Sequence, residues 1–197
     1  MNGRRNTRLD GQIIERGMPT GGDCRAHRGN GRRQMTQQAG IELFKKAIFQ
    51  CLDETFEKTQ GIYLDRGTSL FETLEGVSAE EASRASGANC ATLAAQVEHV
   101  RFYLDVLVDV MTNEKVEKVN WREIWDSVRQ VTPKQWEEEK QRLRQSHQGI
   151  LDTLKNYDKW EGEYGISGGL AVLTHTAYHL GGIRQTLCAI RSSTTNG

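Results

Sequence analysis

The sequence predicts an all-α protein whose main domain is a four-helix bundle. Three observations carry this. Four segments of about 20 residues repeat apolar side chains at three- and four-residue steps, the period of one helix face. The 197 residues hold only two prolines, and the one in the patterned region, Pro133, falls where a helix should start. No run alternates apolar and polar residues as a half-buried strand would. A helix of that length is about 30 Å long. Four of them, joined by connectors, bury their apolar faces against one another.

The first 34 residues stand apart. They contain seven glycines, eight arginines, no lysine and three acidic residues, so their charge is about +5. With a formal net charge of zero for the chain, residues 35–197 carry about −5. Residues 1–34 show no apolar period and are expected to be a disordered basic extension, or a misassigned start, with the domain spanning 35–197. The mildly acidic domain excludes a general nucleic-acid signature, which leaves only the basic arm for such a partner. No apolar core of a signal peptide is visible near the start. The four cysteines (Cys24, Cys51, Cys90, Cys188) lie far apart with no C-x-x-C, which suits reduced thiols in the cytoplasm. Residues 164–183 carry no formal charge over a spanning length. Their glycines, histidines, threonines and serine favour a buried helix over a membrane span.

The elements follow in order. A first helix is expected from about Gln38 to Gln60, with Ile41, Phe44, Ile48, Leu52 and Phe56 on one face. Gly61 and GIYLDRG break it. Ser78 and Glu81 match the S-x-x-E capping box and start a short helix. A second long helix runs from about Ala91 to Thr112 and is apolar nearly all round, so it should be deeply packed. NWREIWDSV reads as a short helix in a long connector. Thr132-Pro133 reads as an N-cap followed by proline, opening a helix to about Asn156 with Trp136, Leu143, Ile150 and Leu154 inside. NYDKWEGEYGISGG reads as a loop with glycine punctuation. A last helix runs from about Gly169 to Ile190.

The chemistry concentrates in LTHTAYHLGGIRQTL. His175 and His179 are four apart, so they share one helix face. Two imidazoles at that spacing reach one ion at about 2.0–2.1 Å each. His99, in the buried second helix, becomes a third ligand if the second and last helices are neighbours. Three histidines leave a fourth position open, the composition of a catalytic site rather than a closed structural one. Hydrogen bonds to carbonyls or to Tyr103 and Tyr178 are the alternative for these rings. His147 falls on or beside the inner stripe of its helix and is a rival ligand; His27 lies in the extension and is discounted. Glu98 points about 100° away from His99 and is not a ligand. Gly181 and Gly182 suggest close backbone approach, at a helix crossing or between subunits, or else a frayed helix end.

At these residues the chain resembles the DinB/YfiT-like superfamily. HTAYHLGGIRQTL is similar to its last-helix signature, in which two histidines spaced H-x-x-x-H precede G-x-I-R-Q. TLAAQVEHVRFYLDVL is similar to the family's second helix, which supplies the third histidine. SLFETLEGVSAEEASR and NWREIWDSVRQVTPKQWEE resemble stretches between those helices. The resemblance covers roughly Met35 to Ile190. It implies an up-down-down-up bundle and a divalent metal, nickel or zinc, held by His99, His175 and His179. It leaves His147 out of the ligand set and implies a homodimer.

The family contains metal-dependent transferases that attach a low-molecular-weight thiol, such as bacillithiol or mycothiol, to electrophiles, and members with no established activity. Two readings of the site follow. In one, the metal lowers the pKa of bound water to about 7 or binds a thiolate, and a small-molecule substrate is attacked. Arg184 is the candidate for holding a substrate carboxylate. It sits about 140° round the helix from His179, so an ion pair is an equally good use for it. In the other reading, the same site only stabilises a bundle that dimerises, with no turnover. A nucleic-acid function through residues 1–34 is the third and weakest reading.

Overall fold

The computed structural model describes residues 24–113 and 119–195. Helices account for nearly all of the regular structure there, and no named strand occurs among the described residues. By its contacts the chain divides into two units, Met1–Ala39 and Gly40–Gly197.

Helix α1 runs Cys24–Phe56. Residues 24–34, expected to be disordered, are therefore helical, and the helix starts well before Gln38. Its arginines, Ala26 and Gln34 favour a helix, Gly29, Asn30 and Gly31 do not, and local propensity alone does not explain the helix. Residues 33–39 are exposed, as that composition requires. The part of the expected extension in residues 1–23 lies outside the described residues.

In the second unit, the expected face of α1 is the buried one: Ile48, Leu52 and Phe56 are in the core, with Ile41 and Phe44 packed against it. The helix stops at Phe56 rather than near Gln60. Buried Glu54 explains the early end. Its carboxylate accepts the backbone N–H groups of Ile62, Tyr63 and Leu64 at 2.8, 3.0 and 2.7 Å. The chain must fold back within a few residues to bring them there. Gly61 and Gly67, at φ 83° and 73°, supply the left-handed conformations this return uses.

Two short helices follow, α2 (Leu70–Glu75) and α3 (Ala79–Ala82). Each begins with a complete capping box, Ser69 with Glu72 and Ser78 with Glu81. Helix α4 spans Leu93–Thr112, α5 Trp121–Ser127 and α6 Pro133–Asn156. The α6 boundaries are those expected, with Thr132 as N-cap in a third capping box with Gln135. Trp136, Leu143, Ile150 and Leu154 are at most 1% exposed. Burying side chains of this size contributes about 1.5–3 kcal/mol each. Trp136 satisfies its indole N–H on the Val77 carbonyl at 2.8 Å, which ties α6 to the turn between α2 and α3.

Helix α7 runs Glu163–Thr195, starting inside the stretch expected to be a loop. Its early glycines are contact points rather than punctuation. A Cβ at Gly165 would lie 2.5 Å from Trp160 Cα, and one at Gly169 would lie 3.0 Å from the Trp160 ring. Trp160 is buried and donates to the Leu154 carbonyl at 3.0 Å. The helix needs glycine to pass so close to it.

Helix α4 is the hub. It packs on α5, α6 and α7, which is why its sequence is apolar on several sides. Its register against α7 can be read from three contacts. Gln96 donates to Thr186 at 3.1 Å, Tyr103 lies on His175, and Met111 borders Gly168. Rising numbers on α4 meet falling numbers on α7, so the two run antiparallel. No described helix is long and apolar enough to cross a membrane.

Candidate metal centre

The N-cap of α4 sets the position of the first histidine. Thr92 Oγ1 accepts the Ala95 N–H at 3.2 Å and donates to the Val128 carbonyl at 3.4 Å. Two turns on, His99 faces α7 and is 6% exposed. On α7, His175 and His179 lie one turn apart and half-buried. Gln96 and Thr186 close one side of the crossing, and the Gln96 side chain also lies 3.3 Å from where a Cβ of Gly182 would be. Gly182 is thus a close-approach residue in mid-helix. Gly181 has open space around it. Neither marks a frayed end.

The three imidazoles converge. Ring centroids are 5.1 Å apart for His99–His175, 4.6 Å for His99–His179 and 4.5 Å for His175–His179. One nitrogen from each lies within 4.8 Å of the others. The Nε2 atoms of His99 and His175 are 3.3 Å apart. Two ligands held at 2.0–2.1 Å on a tetrahedral ion are about 3.3–3.4 Å apart, so this pair has the separation that such an ion requires. The Nδ1 atoms of both rings are buried without a partner. Each Nε2 turns a lone pair to an ion at the shared centre only when its ring carries the proton on Nδ1.

Burial lowers the pKa of all three rings, since a cation in an apolar site loses hydration. His99 falls below the usual histidine value through burial alone. His175 falls to about 4 through burial and then the His99 charge, and His179 to about 4 through burial, His99 and His175. At neutral pH the group is therefore unprotonated, the state in which histidine binds a metal. Among the described residues, this is the one cluster of histidine, cysteine or carboxylate side chains with metal-ligand spacing. The group can hold a metal ion.

Aromatic rings wall the site. Trp125 of α5 stacks on His99 at 4.1 Å and 18°, and lies 5.9 Å from His179. Trp121 meets His99 edge-on at 5.7 Å. Tyr103 stacks on His175 at 3.5 Å and 17°, rather than hydrogen-bonding it. Tyr178, the most exposed of these rings, is edge-on to His179 at 5.0 Å. The two tryptophans escaped the sequence reading. Their signal was the four-residue spacing in NWREIWDSV, which also fits a short core helix.

The other candidates fall elsewhere. His147 stacks on Phe56 at 4.1 Å, meets Phe71 edge-on at 5.6 Å, and places Nδ1 3.3 Å from Glu57. It is not part of the histidine cluster. Arg184 donates to Thr73 Oγ1 of α2 at 3.1 Å. Glu98 points away from the cluster, as its angle required, and is gripped by Arg101 through contacts of 2.7 and 2.6 Å. It joins a charged network between α4 and α6 with Asp105, Glu139 and Arg142.

Comparison of the chain with protein-family models, with curated proteins and with solved structures finds no match.

Proposed function

We propose that this chain is a DinB/YfiT-like protein that holds one divalent ion, nickel or zinc, on His99, His175 and His179. Its four long helices, α1, α4, α6 and α7, form an up-down-down-up bundle. The antiparallel run of α4 against α7 fits that order. The observation that carries the reading is the convergence of three unprotonated imidazoles from two helices, with two Nε2 atoms 3.3 Å apart.

Such an ion, once bound, supplies a Lewis-acidic position that activates water or a thiol at neutral pH. The chain's own residues do the rest. The three histidines present lone pairs. Tyr103 and Trp125 stack on His175 and His99, fix the ring planes and keep water from those faces. Half-buried His179 and exposed Tyr178 leave the approach open to a small-molecule substrate. Thiol transfer or hydrolysis is the reaction class, with a low-molecular-weight thiol as co-substrate on the strength of the resemblance. Arg184 is a candidate for binding a substrate carboxylate only if it leaves Thr73. A cytoplasmic location accords with the free thiols of Cys51, Cys90 and Cys188.

The alternative is a metal-binding, dimerising protein without turnover. The close stacking of Trp125 on His99 suits a structural site, and exposed Ile166 and Leu170 on α7 suit a homodimer face. The two readings part in a conjugation assay with a panel of thiols and a general electrophile, with nickel or zinc and with chelator. Enzymatic function predicts turnover that needs metal and disappears in His175→Ala. Absence of metal-dependent turnover across the panel selects the alternative.

A further inference from the structure

We propose that the small molecule received beside the histidine group is an apolar aromatic one, its ring held against Trp121. The proposal rests on the reading that His99, His175 and His179 hold one divalent ion.

The side chains that border the histidines and still have surface to offer are aromatic. Trp121 meets His99 edge-on at 5.7 Å and Tyr103 at 6.0 Å. Tyr103 in turn stacks on His175. Trp121 is thus linked to a histidine of α4 directly and to one of α7 through a single ring. Phe102 braces it edge-on at 6.0 Å. These three contacts hold the indole, yet 37% of Trp121 remains exposed. On α7, Tyr178 lies edge-on to His179 and is 77% exposed.

A tryptophan left partly open beside three convergent imidazoles is a platform for a ring. Aromatic pairs are favourable at centroid separations of about 4.5–7 Å, the range in which Trp121 already contacts its neighbours. Because those neighbours hold it, little ordering is needed when a ligand arrives.

Charge does not compete with this recognition. On α4, Arg101 is taken by Glu98 and Asp105. On α7, Arg184 donates to Thr73. On α5, Arg122 and Glu123 lie about 100° and 200° round the helix from Trp121, off the face it shares with Trp125. The contacts that remain at the histidines are ring faces and edges, which select an apolar aromatic group over a carboxylate.

The test uses three probes that bind a metal through the same imidazole nitrogen: imidazole, 4-phenylimidazole and 3-(imidazol-4-yl)propionate. Each is titrated by calorimetry, at about pH 8 where the imidazoles are neutral, into the full-length chain loaded with zinc. Zinc per chain is measured by elemental analysis after dialysis. The expected result is about one zinc per chain, 4-phenylimidazole bound about tenfold or more tighter than imidazole, and the propionate no tighter than imidazole. Trp121→Ala should remove most of the phenyl advantage and leave imidazole unchanged, and Trp121→Phe should restore part of it. The ranking of the three probes on the parent chain decides the proposal even if Trp121→Ala fails to fold. A chain that holds one zinc but binds imidazole and 4-phenylimidazole equally overturns this proposal and leaves the metal reading standing. So does a propionate that binds tighter than 4-phenylimidazole. Equal binding of 4-phenylimidazole to the metal-free chain overturns it too, since the ring would then sit elsewhere. A chain that takes up no zinc fails the metal reading, and this proposal with it.

Discussion

Which ring nitrogens carry protons decides what each histidine does. His175 and His179 are held near pKa 4 by burial and by neighbouring imidazoles, so each ring is neutral at neutral pH and keeps one nitrogen lone pair. His147 is also lowered to about 4, by burial first and then by Arg144 and Lys155, but it faces Phe56 and Phe71. Its consequence is for stability. The unfolded chain protonates this ring near pH 6.5 while the folded chain resists until about pH 4. Stability is therefore full above 6.5 and lost as pH falls through that window. The loss is on the order of 3 kcal/mol, less whatever the Glu57 carboxylate returns once the ring is charged. Urea unfolding of the chain and of His147→Phe at pH 7 and pH 4.5 checks this: the stability of the variant relative to the parent should rise at the lower pH. At this scale much of the site was legible. H-x-x-x-H placed two ligands on one face, and a histidine in an apolar helix marked the third. The roles of Trp121 and Trp125 were not legible, because a tryptophan pair at helical spacing packs a core as readily as it walls a site.

Among the long helices α6 was the most legible, whereas the starts of α1 and α7 were not. A threonine-proline start and a regular inner stripe define α6 by local chemistry alone. The start of α7 depends on Trp160, a partner the glycines cannot announce. Glycine reads as a breaker in sequence, yet Gly165 and Gly169 are there because the helix passes against that residue. Two substitutions separate the kinds of glycine. Gly181→Ala adds a methyl in open space within a helix and should stabilise the protein by about 0.5–1 kcal/mol. Gly165→Ala drives a methyl into the Trp160 backbone and should destabilise it by about 1–3 kcal/mol or more. Thermal unfolding of both variants checks the opposite signs. The end of α1 has a similar lesson. Periodicity carried the expected helix past Phe56, but Glu54 recruits three backbone N–H groups from the following loop and turns the chain back.

Across the molecule, α4 links two different chemistries. One side carries His99 toward α7; another carries Glu98 into a partly buried charge network with α6. Within that network Glu139 is 1% exposed, and burial followed by its contact with Glu98 raises its pKa to about 7. Its carboxyl favours the neutral form in the folded state. The stability this gives is present below the unfolded value near 4.5 and is lost as pH rises toward 7. Glu139→Gln keeps a neutral side chain of the same shape, so its stability relative to the parent should increase between pH 5 and pH 8 in denaturant titrations. The all-α class was legible because every long segment kept one period. The antiparallel register of α4 on α7 was not, since nothing local records which turn meets which. That register is what brings His99 to His175 and His179, and the metal claim depends on it. The most direct test is elemental analysis of the full-length chain, purified without a polyhistidine tag, beside its His99→Ala, His175→Ala and His147→Ala variants. The account predicts about one divalent ion per chain in the parent and in His147→Ala, and none in the other two. Metal retained after both His99→Ala and His175→Ala would contradict it.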